Sequence, residues 1–227
     1  MRRLLPLLLL PATAVAQDDD ELTYGIEVLT GFRSEFIDRG FSLSQGLVEV
    51  QLGAEVALSD EWLLEIGGWY GTGTGSGDFE AASAFFGIVY EAESWDAGMD
   101  LSLSSYDHRI FDDGVAVGPF YNWYPNDDWR IGGAFQYDSG ASGWYGKVEA
   151  AWSKPTGDDS FITLLGGISG TSGFYGRSGA NDLFARLSWT YGVNRHVAFT
   201  PFVGTSVALD SDASTRLYAG LWFEVNF

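Results

Sequence analysis

The chain has 227 residues, no cysteine, 30 glycines, 16% aromatics and a formal charge of −19. Zero cysteine removes a disulfide framework and thiolate metal sites, and 12 Lys and Arg against 31 Asp and Glu remove nucleic acid and anionic lipid surfaces as partners. So much glycine and aromatic side chain favours strands and tight turns over helices.

At the N-terminus, Met1-Arg2-Arg3 precedes a short apolar run from Leu4 to Leu10, broken by Pro6, and Ala14-Val15-Ala16 forms an A-x-A cleavage pattern. This predicts a secretory signal peptide over 1–16 and one domain over 17–227, beginning at Gln17. The apolar run is too short to anchor, since a membrane-spanning helix needs roughly 20 apolar residues. No cysteine follows the cleavage site to carry a lipid. An exported domain without disulfides must rest on a large core or a closed sheet.

Beyond the leader a unit recurs. Asp60-Glu61-Trp62, Glu93-Ser94-Trp95, Asp127-Asp128-Trp129 and Asp158-Asp159-Ser160-Phe161 each set polar turn residues before an aromatic that opens an apolar run, and Arg195-His196-Val197 is a degenerate fifth copy. The spacings are 33, 34, 32 and 36 residues, and each unit holds two alternating segments with a polar tip between them, as a pair of strands does. In chain order the segments are 24–37, 47–58, 62–71, 79–91, 95–106, 115–124, 129–138, 143–153, 160–171, 182–193, 197–209 and 214–227. The last is the clearest: Leu217, Ala219, Leu221, Phe223, Val225 and Phe227 alternate with Tyr218, Gly220, Trp222, Glu224 and Asn226. In 79–91 and 160–171 both parities carry apolar residues.

The prediction is an all-β fold: a transmembrane up-and-down antiparallel β-barrel of about 12 strands. Short periplasmic turns fall at Ser59–Glu61, Ala92–Ser94, Pro125–Asp128, Lys154–Asp159 and Asn194–His196, and longer outward connections include Gly71–Asp78, Asp107–Gly114, Gly173–Asn181 and Asp210–Ala213.

Placement of the aromatics separates a membrane barrel from a soluble one. Trp62, Trp95, Trp129 and Phe161 follow the short turns, while Tyr90, Trp123, Trp152 and Tyr191 precede them, all in the parity of the Leu and Val residues. That predicts a girdle at the membrane interface, in an outer membrane whose lipid is the barrel's first partner.

The opposite parity carries charge. Glu27, Glu35, Glu49, Glu55, Glu65, Glu91, Asp96, Asp100, Glu149 and Glu224 point inward against Arg33, Arg130, Lys147, Arg186 and Arg216. Ten acids to five bases predict a negative lumen that favours cations, unless the charges neutralise one another and fill the barrel. Inward Trp69, Phe120, Tyr145, Phe184, Phe202, Tyr218 and Trp222 are expected to narrow the passage.

Enzyme chemistry has little to build on. The two histidines, His108 in an outward loop and His196 in a periplasmic turn, sit at opposite rims. Gly71 to Gly77 lacks the Lys and helix of a phosphate loop, and Asp18–Glu21, Asp112, Asp113, Asp210 and Asp212 have no spacing that makes a calcium cage. No catalytic residue, metal or cofactor is expected.

Two resemblances add to this reading. The terminal strand ending in Phe227 resembles the alternating, aromatic-terminated end of outer-membrane barrel proteins, which implies recognition by the barrel-assembly machinery. The segment Ser34-Glu35-Phe36-Ile37-Asp38-Arg39-Gly40-Phe41-Ser42 resembles the S-x-Y-x-F-R-G-x-S-Q pattern of the TorF family of porin-like barrels. Ser34, Phe36, Arg39, Gly40 and Ser42 fit; Asp38 stands where that pattern has an aromatic, and Leu43-Ser44-Gln45 displaces its Gln. The resemblance implies a small outer-membrane channel, with Arg39 either bracing the first external loop or lining the entrance. The expected function is a narrow passive channel for small polar solutes or cations; the alternative is a non-conducting barrel with a plugged lumen and a structural or surface-binding role.

Overall fold

The computed structural model describes residues 24–75, 79–107, 111–209 and 215–227. The predicted leader with its Gln17 boundary, the acidic stretch Asp18–Glu21, and His108, Asp210 and Asp212 lie outside the described residues. Fourteen strands follow one another: β1 (Tyr24–Arg33), β2 (Phe36–Asp38), β3 (Phe41–Ser44), β4 (Leu47–Ala57), β5 (Trp62–Gly73), β6 (Glu80–Glu91), β7 (Trp95–Asp107), β8 (Gly114–Asn126), β9 (Trp129–Asp138), β10 (Gly143–Gly157), β11 (Ser160–Phe174), β12 (Arg177–Asn194), β13 (Val197–Ala208) and β14 (Arg216–Asn226). Twelve of them form a closed antiparallel barrel in which β1 pairs with both β4 and β14, and β2 and β3 form a separate small hairpin.

Alternation sets which side faces out, and it is inverted relative to a water-soluble barrel. On β4, Val48 and Val50 are each 43% exposed while Glu49 between them is 2% exposed. The same holds on β14, where Phe223 is exposed and Trp222 and Glu224 are buried. Such an exterior is stable only against hydrocarbon, and hydrocarbon requires that each strand find two neighbours, so the sheet must close. The chain is thus an outer-membrane type of β-barrel, with short turns at one end and longer connections at the other.

Most predicted segments match the strands within a few residues. The first does not. Predicted to run over 24–37, it stops at Arg33, where Ser34 N–H donates to the Ala219 carbonyl and Ala219 N–H donates back to Ser34 Oγ. Phe36 and Ile37 continue the alternation in sequence but belong to β2, inside the mouth. The opposite error occurs at β11 and β12, whose ladder continues through Ser172↔Ser178 to Phe174↔Arg177, leaving only Tyr175 and Gly176 at the tip of the connection predicted over 173–181. Likewise β10 runs to Gly157 and shortens the turn predicted from Lys154 to Asp158 and Asp159.

Glycines on the inner face have a spatial role. A Cβ on Gly220 would lie 2.2 Å from Phe202 Cζ and 2.5 Å from the Phe32 carbonyl, whereas one on Gly53 would meet nothing within 4 Å. Gly220→Val is therefore expected to lower the unfolding free energy by about 1–3 kcal/mol through overpacking, and Gly53→Ala to change it by less than about 0.5 kcal/mol. Urea titration scored by heat-dependent gel mobility measures both; equal effects would contradict the packing argument.

Candidate functional site

Lumen charges sit on inward positions of the strands, and their partners divide the lumen into unlike parts. Arg33 on β1 grips Glu49 on β4 through both carboxylate oxygens, with Nη2 at 2.6 Å from Oε2 and Nε at 2.9 Å from Oε1. Trp69 Nε1 and Trp222 Nε1 donate to the same carboxylate at 2.9 and 2.7 Å, so Glu49 is saturated. On the far side, Arg130 (β9) and Lys147 (β10) share Glu149 at 2.6 and 2.9 Å. Arg130 also donates to Asn122, whose amide donates to Asp96, which in turn accepts the Tyr124 hydroxyl at 2.5 Å. Arg186 on β12 lies over the Trp222 ring at 5.1 Å.

The acids of the remaining wall have a different setting. Register places Glu55, Glu65, Gly87 and Asp100 as successive cross-strand partners on β4, β5, β6 and β7. Glu65 Oε2 and Asp100 Oδ1 lie 2.9 and 3.3 Å from where a Cβ on Gly87 would stand, so both carboxylates lean over the glycine. None of the ion pairs among the described residues includes Glu27, Glu65, Asp100 or Glu224.

Two of the predicted lumen residues need correction. Glu35 lies off the barrel wall, in the bend after β1, where it accepts the Ser42 hydroxyl at 2.5 Å and pairs with Arg216 at 3.0 Å. Arg216, the first residue of β14, is at the loop-end rim with its side chain 40% exposed.

Five of the seven inward aromatics lean over cross-strand glycines. Phe120 lies over Gly98, Phe184 over Gly167, Phe202 over Gly220, Tyr218 over Gly204 and Trp222 over Gly31, with ring atoms 2.3–2.7 Å from the missing Cβ in all but Phe202, at 2.2 Å. Each ring therefore fills the side-chain space of a cross-strand glycine, and Phe202 and Trp222 stack on one another with centroids 3.8 Å apart. Trp69 and Tyr145 are the exceptions and pack into the mouth.

The mouth is occupied by a hairpin and a buried apolar cluster. The hairpin β2–β3 folds inward, its neck held by the Gly46 N–H bond to the Ser34 carbonyl. Arg39 (φ 48°) and Gly40 (φ 80°) form the turn, the two positive angles of a type I′ hairpin. A Cβ on Gly40 would meet Asn181 Nδ2 at 2.3 Å, so glycine is required there for space as well. The hairpin emerges between adjacent β1 and β4, yet Arg39 Nη1 reaches Asp138 Oδ2 at the end of β9 at 2.5 Å. Counted around the ring, β9 is six strands from β1 in either direction, so the hairpin spans the mouth.

Asn181 Nδ2 donates to the Arg39 carbonyl at 2.7 Å, and the Arg39 guanidinium lies over Phe174 and Tyr145. Burial opposes that charge, but Asp38, Tyr106 and the bond to Asp138 outweigh it and raise the Arg39 pKa above its ordinary value. Beneath the hairpin Phe36, Phe41 and Leu43 pack with Leu47, Phe79, Phe111 and Phe174 into a buried apolar cluster. Phe36 stacks on Trp69 at 5.5 Å, and Arg177 caps Phe41 at 4.0 Å. Of the two roles open to Arg39, the contacts are those of bracing.

On the exterior, register sets Trp62 opposite Tyr90, Trp95 opposite Trp123 and Trp129 opposite Trp152, all at the short-turn end. Tyr191 stands opposite Ser160 and lies 5.8 Å from Phe199. Sequence reasoning missed a second group of exposed aromatics nearer the loop end, Phe32, Tyr70, Tyr137 and Trp144; parity alone identifies them as outward. Phe227 is exposed, and its N–H donates to the Ile26 carbonyl at 2.9 Å. His196 is engaged in its turn, with Nδ1 2.9 Å from the Asn226 carbonyl and Nε2 accepting from Arg195. Among the described residues no group of acids and histidines is arranged to hold a metal ion.

The sequence matches no protein-family model and no curated protein. The fold does match solved structures. The KdgM porin is 12% identical with a TM-score of 0.56, over 88% of this chain and 98% of that one. An outer-membrane channel from Pseudomonas putida F1 is 10% identical with a TM-score of 0.59, over 96% of this chain and all of that one. The translocator domain of the autotransporter NalP from Neisseria meningitidis is 12% identical with a TM-score of 0.59, over 92% and 90%. The chain therefore has the fold of bacterial outer-membrane barrels, one that is shared by porins, channels and a translocator.

Proposed function

We propose that the protein is a narrow passive channel of the outer membrane for small polar solutes and cations, without enzymatic activity. The observation that carries this reading is the row Glu55, Glu65 and Asp100 along one lumen wall, in which Glu65 and Asp100 enter none of the ion pairs found among the described residues. Carboxylates so placed raise the local concentration of cations and repel anions. The KdgM porin was solved with oligogalacturonate, a polyanion; the acidic wall here argues against solutes of that kind. In this reading the short turns are periplasmic, Trp62, Tyr90, Trp95, Trp123, Trp129, Trp152 and Tyr191 anchor the barrel in outer-membrane lipid, and Phe227 serves the barrel-assembly machinery. The match of Ser34, Phe36, Arg39, Gly40 and Ser42 to the TorF pattern supports a place beside that family. The leader over 1–16 is proposed to be removed on export.

The second reading, a non-conducting barrel, is favoured by the hairpin across the mouth and the apolar cluster beneath it. Planar-bilayer recordings separate the two. The channel reading expects small cation-selective currents from the full chain, with selectivity reduced by Glu65→Gln together with Asp100→Asn. Silence from folded protein, with currents only after residues 36–44 are replaced by a short Gly-Ser linker, would favour the plugged barrel.

Hairpin docking can be measured separately because the chain has no cysteine. Leu43→Cys places a thiol in the buried cluster, where a membrane-impermeant maleimide is expected to react slowly. Adding Asp138→Ala leaves Arg39 buried without its carboxylate, a change that costs roughly 3–5 kcal/mol, so labelling is expected to accelerate at least about tenfold. An unchanged rate would show that the ion pair does not hold the hairpin down.

A further inference from the structure

Among the described residues eight buried side-chain polar atoms lack a hydrogen-bond partner, and four of them, Glu27 Oε2, Glu65 Oε1, Asn226 Oδ1 and Arg130 Nε, belong to residues that line a single lumen chamber of about 300 Å³. Three of the four are carboxyl or amide oxygens. Glu27 is 6% exposed and Asn226 9%, and register makes them cross-strand neighbours on β1 and β14. Buried polar atoms without hydrogen-bond partners are costly.

Two further features fix the chemistry of a ligand. Glu65 and Asp100 lean together over Gly87, so their oxygens converge on one point of the wall. Phe85 and Phe120 also line the chamber, their rings over Gly67 and Gly98. A compact charge with several N–H donors suits the carboxylates, and a short apolar tail suits the rings, whose faces also attract cations. A chamber of this volume lies at the lower end of small-molecule sites.

We infer that this chamber is a binding site for small primary ammonium ions: the –NH3+ group sits against Glu65 and Asp100, and its alkyl tail lies on Phe85 and Phe120. The inference deepens the channel reading and rests on it only for passage; binding itself requires no current. Arg130 and Lys147 also line the chamber, and both are ion-paired with Glu149.

The test uses the full chain folded in neutral detergent, with folding verified by heat-dependent gel mobility and binding of n-propylammonium measured by calorimetry. Saturable binding is expected, weakened about tenfold in Glu65→Gln with Asp100→Asn, as loss of a charge-assisted hydrogen bond predicts. Gly87→Ala leaves every charge in place but puts a methyl 2.9 Å from Glu65 Oε2, so it is expected to weaken binding comparably. Tetramethylammonium, which has the charge but no N–H, is expected to bind at least about tenfold more weakly.

Equal affinity for tetramethylammonium, competition by sodium at equal concentration, displacement by propionate, or no loss in either folded variant would each overturn the site. Protein that binds propylammonium but passes no current removes the channel and keeps the site. Protein that conducts without binding it does the reverse.

Discussion

Seven registered pairs, from Glu27↔Asn226 to Arg33↔Gly220, join the first barrel strand to the last and leave the sheet without an edge. That closure is the constraint on which the remaining structure depends, because a backbone N–H or C=O left open to hydrocarbon costs several kcal/mol. Once the sheet is closed, lipid claims the outer parity of every strand, and polar side chains can go only inward or to the rims. The charges of the lumen follow from the surface on which the barrel sits.

Charge placed inside then has to be managed locally, and the protein does so unevenly. In the loop-end half three bases have an acid, Arg33 with Glu49, Arg39 with Asp138 and Arg216 with Glu35, while Arg177 lies over the Phe41 ring. Aromatic N–H groups complete the set around Glu49. In the other half the acids outnumber the bases, and Arg130 and Lys147 both spend their charge on Glu149. The result is a neutralised, apolar mouth above an acidic chamber, two environments built from a single alternating pattern.

The strand pattern was legible because it is local. Period two, a polar turn and a following aromatic lie within a few residues of one another, which is why β4, β7, β9 and β13 start where the sequence places them. What the sequence hides is set by register and by distance. Phe36 and Ile37 continue the alternation of β1 without a break, and only the contacts of Phe36 with Trp69 and Phe79 place it inside the mouth. Arg39 was recognisable from its resemblance to a known pattern, but its partner Asp138 lies 99 residues away. Pairing each inward ring with the glycine beneath it requires the register, so Phe202 over Gly220 could be read only as an obstruction. The convergence of Glu65 and Asp100 over Gly87 was hidden for the same reason.

How firmly the mouth is closed can be judged from what opening would expose. Full withdrawal of the hairpin would return Phe36, Phe41 and Leu43 to water, at roughly 1.5–3 kcal/mol each, and would break the Arg39–Asp138 pair and the Asn181 bond as well. Thermal fluctuation alone would make that state rare. A smaller movement is cheaper, because the two ends of the hairpin are held differently. Its base is fixed by Phe36 on Trp69 and by the backbone bonds of Ser34 and Gly46. Its tip carries a left-handed arginine, a conformation that non-glycine residues hold only when their surroundings compensate. Release of Asp138 would remove the strongest such compensation while leaving the base packed. In the channel reading, the tip at Arg39 and Gly40, with Phe41 behind it, is therefore the part of the mouth that has to move for a solute to enter from the loop end, and the barrel wall need not.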